Sequence, residues 1–182
     1  MDFVAVDFET ANYKRTSACA IGLVAVENGV IVERRHFLIR PPENHFVFTY
    51  LHGISWNEVR HEPAFNEIWP QVCAIIGNRP ITAHNAPFDT AVLRDTLGYY
   101  GITCPKISCV CTCQLSRRIW PELRSHSLDA VAGHLHLALK HHNAASDSEA
   151  CAQIALAGCR KKGFRSIVEA AVACRLRYDY LL

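Results

Sequence analysis

A three-layer α/β fold with a mixed sheet is predicted by three features of the sequence. Apolar, strand-like segments crowd the first 40 residues, and two of them are joined by Asn28-Gly29. Beyond residue 60, short apolar strand signals alternate with helical ones. The chain has 182 residues, 50% of them hydrophobic, and a domain of that size buries roughly 70% of the surface its unfolded chain exposes. A β-meander followed by alternating helix and strand gives a sheet with antiparallel and parallel parts, covered by helices.

Each element has its own signal. Residues 3–8 (FVAVDF) read as a buried strand, and residues 17–27 and 30–39 as two more. Asn28-Gly29 between the latter is a strong two-residue hairpin signal, because both positions tolerate positive φ. Pro41-Pro42 ends the third strand, and a loop holding His52-Gly53-Ile54 follows. Residues 64–77 read as a helix and Ile81–Ala83 as a short strand. A helix over 87–99 has Pro87 in its first turn and Gly98 near its end. A fifth strand over 107–111 leads into a helix over 112–119. Residues 126–137, 146–161 and 164–177 read as helical, with breaks at Gly133, Lys140–Asn143 and Gly163. Trp56, Trp69 and Trp120 read as core, and Ser127 as a helix cap.

Composition narrows the class. Charged residues make up 20% of the chain, as in ordinary globular proteins, which excludes a disordered, collagen-like or coiled-coil chain. No run reaches the roughly 18–20 apolar residues of a membrane span. The start, MDFVAVDFET, has acids where a signal peptide carries basic residues. The expectation is a soluble, cytoplasmic protein forming one domain over residues 1–182. A net charge of +2 is not the footprint of a strong nonspecific nucleic-acid binder. The charge is uneven, however: residues 1–116 carry net −2 and residues 117–182 net +4. Nine cysteines without a secretory signal are expected as reduced thiols. Cys109, Cys111 and Cys113 alternate, which puts them on one face of a strand. Buried small hydrophobes suit them better than a zinc site, which wants four ligands.

Three constellations carry chemistry. Asp7-Phe8-Glu9 ends the first strand, where alternation points both carboxylates to one side and Phe8 to the other. Adjacent carboxylates repel unless they are solvated or share a cation. His84-Asn85-Ala86-Pro87-Phe88-Asp89 lies where a short strand turns into a helix, the usual ligand position in open α/β sheets. His142-Asn143-Ala144-Ala145-Ser146-Asp147 places a loop histidine five residues before an acid in a first helical turn. Histidine titrates near neutral pH and suits general-base work. Taken singly, each has an ordinary structural explanation: solvated acids, a helix-dipole acid, a capping region.

In this order, D-x-E, then D, then H-x-A-x-x-D, they resemble the three motifs of the DEDD-type 3′–5′ exonucleases, in the branch whose last motif carries histidine. That family includes the proofreading subunit of bacterial replicative polymerase and ribonuclease T. FVAVDFET and ITAHNAPFD are similar to family wording, and the resemblance spans residues 3 to about 160. It implies a ribonuclease H-like fold with a mixed five-stranded sheet flanked by helices. It implies that Asp7, Glu9, Asp89 and Asp147 form an acidic metal centre and that His142 is the general base. His141 is adjacent, but only His142 has the five-residue spacing to Asp147. Four carboxylates beside a phosphodiester need cations. Two divalent ions roughly 3.5–4 Å apart would clamp the attacking and leaving oxygens, and oxygen ligands suit Mg²⁺ or Mn²⁺. Asp7 is expected to bridge the ions, with Glu9 and Asp147 on one of them and Asp89 bound directly or through water.

Phe8, Thr10, His52 and Phe88 are the candidate substrate contacts; the aromatic pair either stacks on terminal bases, which is sequence-tolerant, or is core, the reading that alternation favours for Phe8. His84 and Asn85 are expected to orient the second motif. The implied reaction releases nucleoside 5′-monophosphates from a 3′ end, with single-stranded DNA favoured over RNA. The alternatives are an RNA exonuclease, and a polymerase-accessory binding module that no longer cleaves. A polymerase or a further domain outside this chain is compatible with the motifs, and nothing in the sequence marks an oligomer interface.

Overall fold

The computed structural model describes residues 1–181. Six strands form one sheet: β1 (Phe3–Thr10), β2 (Ala18–Glu27), β3 (Val30–Leu38), β4 (Ile81–Ala83), β5 (Ile107–Cys111) and β6 (Tyr178–Leu181), in the order β3-β2-β1-β4-β5-β6. The five expected strands are all present, and β6 extends the sheet by one antiparallel edge strand from a segment without a strand signal. β1 pairs antiparallel with β2 and parallel with β4, so the sheet is mixed as predicted. Asn28 (φ 52°) and Gly29 (φ 76°) make the β2–β3 turn.

Helices cover both faces. α3 (Phe65–Ile76) and α4 (Ala86–Tyr99) pack on one side over Val4, Val6, Phe8, Ile21 and Leu23. α5 (Thr112–Ile119), α6 (Leu128–His134), α7 (Ala144–Lys162) and α8 (Ile167–Ala173) lie on the other, over Phe3, Ala5, Val24 and Val110. Strand alternation thus divides β1 between two cores. The expected loop after β3 contains two one-turn helices, α1 (Thr49–His52) and α2 (Trp56–Val59), the second closed by a Ser55/Glu58 capping box.

Some local expectations change. The helix expected over 164–177 is only seven residues long, because the backbone turns out of it at Cys174 and Arg175 (φ 53°) and leads to β6. Cys113 is not on the strand face of Cys109 and Cys111: α5 begins at Thr112, and the helical turn redirects it. No disulfide forms among the described residues. Trp69 and Trp120 are buried, but Trp56 is only half-buried, edge-on to Phe46. Ser127 does stand at the N-cap of α6, but its hydroxyl meets Ser125 Oγ instead of a helix amide. Among the described residues no helix is long and apolar enough to cross a membrane.

Candidate active site

The C-terminal end of β1 and the N-terminal turn of α7 build the site. Asp7 and Glu9 share the sheet face toward α7, with Phe8 turned to the other core. Asn143 caps α7, its Oδ1 accepting from the Ser146 N–H at 3.1 Å, and this puts Asp147 in the first turn. The helix can approach because Gly22, the partner of Asp7 across the β1–β2 ladder, has no side chain. A Cβ there would overlap the Ala144 carbonyl and stand 2.6 Å from Ser148 Oγ. Sequence reasoning missed Gly22, although a glycine inside an apolar strand is a signal of close backbone approach.

One ligand atom from each of Asp7, Glu9 and Asp147 lies within 4.8 Å of the other two. Proximity and burial alter all three. Burial raises the Asp7 carboxyl well above its ordinary range, helped by Asp89, Asp147 and Glu9. Glu9 is pushed up to about 7 by burial and by Asp147. Asp147 is pushed up to about 6 by burial, although the His142 N–H and the nearby imidazole pull the other way.

Asp89 is not within this 4.8 Å group, although its charge acts on Asp7. It is 2% exposed, and its Oδ1 accepts from the Phe8 N–H at 3.0 Å. β4 pairs with β1 only at Val4 and Ala5, so the Phe8 N–H lies beyond its reach and takes the first-turn acid of α4 instead. Burial nevertheless raises the Asp89 carboxyl, against the pull of that hydrogen bond.

His142 has φ 61°, and its backbone N–H donates to Asp147 Oδ2 at 3.0 Å. Its ring stacks on His141, centroids 4.1 Å apart and planes 11° from parallel. Both imidazoles line a cavity of about 930 Å³ that also takes in Asp7, Glu9 and Asp147. Thr10, His52 and Phe88 border the same cavity. Ile54 N–H donates to His52 Nδ1 at 3.0 Å, so the ring's proton sits on Nε2, which donates to the Thr10 carbonyl at 3.2 Å. Burial keeps the His52 pKa below its ordinary value, as this neutral tautomer requires. Phe88 is 41% exposed. The Phe8 ring, by contrast, is 3% exposed and packs on Phe65 at 6.1 Å, so the residue meets the cavity through its backbone and its ring cannot stack on a base. Phe48, Leu51, Arg117 and Arg124 also line the cavity and carry no motif signal.

The model of the RNase T family, described as "Exonuclease", matches residues 4–155. The chain belongs to this exonuclease family, and its four acids and loop histidine stand in the order of the DEDDh branch. It is 32% identical over 157 residues to DNA polymerase III PolC-type of Clostridium perfringens, covering 84% of this chain and 11% of that one. It is 30% identical over 154 residues to the 3′-5′ exonuclease DinG of Bacillus subtilis, covering 81% and 16%. This chain therefore spans about a tenth to a sixth of the length of these relatives. The solved structure of exonuclease X in complex with 5′ overhanging duplex DNA superposes with a TM-score of 0.76 at 24% identity, over 94% of this chain and 98% of that one.

The family is divalent-metal-dependent, and the residues present fit such an ion. Asp147 Oδ1 is buried with no hydrogen-bond partner, and a buried polar atom without a partner is the exception in native proteins. Its neighbours are two further carboxylates, the hard oxygen donors that divalent cations of this kind take.

Proposed function

We propose that this chain is a metal-dependent 3′–5′ exonuclease that releases nucleoside 5′-monophosphates from nucleic acid, single-stranded DNA before RNA. Residues 1–182 form its one exonuclease domain. The meeting of Asp7, Glu9 and Asp147 beside His142, with Asp147 Oδ1 left without a partner, carries this reading. The sequence relatives, a DNA polymerase and DinG, support DNA.

Asp7, Glu9 and Asp147 would hold two divalent cations, Mg²⁺ or Mn²⁺, with Asp89 binding directly or through water. When bound, such cations offset the charge of the phosphodiester and make an attacking water more acidic. The His142 imidazole takes a proton from that water, and the water oxygen bonds to phosphorus. The bond from phosphorus to the 3′ oxygen of the preceding nucleotide breaks, and that oxygen takes up a proton. The hydrogen bond from His142 N–H to Asp147 ties the base to the acid it works beside. Thr10, through its backbone, and His52 and Phe88 border the space for the terminal nucleotide.

The test is a 5′-labelled ladder on single-stranded DNA and RNA of one sequence, with Mg²⁺. Stepwise shortening from the 3′ end, faster on DNA, is expected. Faster loss of RNA would reassign the substrate. No shortening of either would favour a binding module instead.

A further inference from the structure

The cavity holds cations that this chemistry leaves unused. Arg117 on α5 and Arg124 in the turn before α6 line it, and both are exposed. Arg15, Arg34 and Arg79 each pair with a carboxylate. Among the described residues Arg117 and Arg124 form no ion pair, even though three carboxylates line the same cavity. Arg117 meets only the Cys113 thiol. The two guanidiniums are therefore not held by the acids that share their cavity.

The turn that carries Arg124 is held firmly. The His126 carbonyl accepts from His84 Nε2 at 2.9 Å and from the Cys113 thiol at 3.2 Å. Ser116 Oγ gives its proton to the Cys113 carbonyl at 2.9 Å, so it accepts from His126 Nδ1 at 3.0 Å. These bonds fix the turn to α5 and to His84, two residues before α4 begins. A preorganised support lowers the entropy lost when a side chain engages a ligand.

We propose that Arg117 and Arg124 form a phosphate-binding wall that grips the backbone of the nucleic-acid strand upstream of the linkage to be cut. This rests on the nucleic-acid reading above. Guanidinium matches phosphate geometry in a fork of two hydrogen bonds, and such contacts are indifferent to sequence. The scissile phosphate belongs at the carboxylate trio. The arginines, unpaired with those acids, are free for a neighbouring phosphate. They also open the basic stretch from residue 117 onward, so the charge unevenness of the sequence has a location at the site.

The test measures anisotropy of a 5′-fluorescein single-stranded oligonucleotide with wild type, Arg117→Gln, Arg124→Gln and the double variant, in Ca²⁺ over a salt series. Arg165→Gln, beyond the far end of α7, serves as the charge control. Each cavity substitution is expected to weaken binding about tenfold at low salt. Each should also flatten the slope of log affinity against log salt by about 0.7, a change that misfolding would not give. Cavity variants that bind like the Arg165 control, or a wild type with no salt-dependent binding, overturn the proposal. Cleavage in Mg²⁺ is scored separately. Loss of binding in the variants with no cleavage by wild type keeps the wall and removes the exonuclease reading.

Discussion

The His142 backbone N–H donates to Asp147 Oδ2 at 3.0 Å, while Oδ1 of the same carboxylate is buried without a partner. One oxygen is spent on holding the loop that carries the histidine. One oxygen of the Asp147 carboxylate lies within 4.8 Å of an oxygen each from Asp7 and Glu9.

Asp147→Asn keeps an oxygen for the His142 N–H and removes the charge. Activity is expected to fall at least about 100-fold, no less than the loss seen when groups that merely support metal ligands are removed. The metal-free variant should melt no lower than wild type at pH 8, because a repulsive carboxylate is gone. Rates of 5′-labelled strand degradation with Mg²⁺ and thermal melts check both halves.

Stability without metal should fall as pH rises. Glu9 is raised from 4.5 to about 7 and Asp147 from 3.8 to about 6, with Asp7 and Asp89 raised as well. Asp89 is raised to about 8, so the folded state binds more protons than the unfolded one from roughly pH 4 to at least 8, and the slope of stability with pH is negative there. Melting temperatures in chelator should decline across that window. Added Mg²⁺ or Mn²⁺ should flatten the decline, since a cation replaces the protons.

Gly22→Ala tests the approach of α7 to β1. Its Cβ would overlap the Ala144 carbonyl, which is backbone and cannot rotate away. Overpacking of this kind costs about 1–3 kcal/mol, and the shift falls on the turn that sets Asp147. Activity is expected to fall more than stability alone explains, read as lower kcat at a temperature where both proteins are folded. Ala25→Gly, on the same strand away from that contact, should lose stability and keep kcat.

Much of this was legible in the sequence because it depends on local rules. The Asn28-Gly29 turn, strand alternation at Asp7 and Glu9, and the cap before Asp147 each follow from a few neighbouring residues. The match of the three motifs to one family then placed them in a common site. What was not legible depends on how far elements run past one another. β4 stops short of Phe8, so Asp89 Oδ1 accepts from the Phe8 N–H, a bond between two motifs 81 residues apart. Phe8 lies between two motif acids and fills the core, on the face that alternation already gives it in the sequence. Gly22 and the two arginines matter through contacts with segments distant in sequence. β6 forms from a segment just past the expected helix that carries no strand signal, by completing the edge of β5.

The central claim is that the carboxylate trio with His142 hydrolyses nucleic acid from its 3′ end only with a divalent cation. The most direct measurement compares wild type and Asp7→Ala on a 5′-labelled strand, each with Mg²⁺ and with chelator. A stepwise ladder is expected for wild type with Mg²⁺ alone, and at least about a 100-fold loss in the other three reactions. Equal shortening by wild type and Asp7→Ala, or a ladder undiminished by chelator, would contradict it.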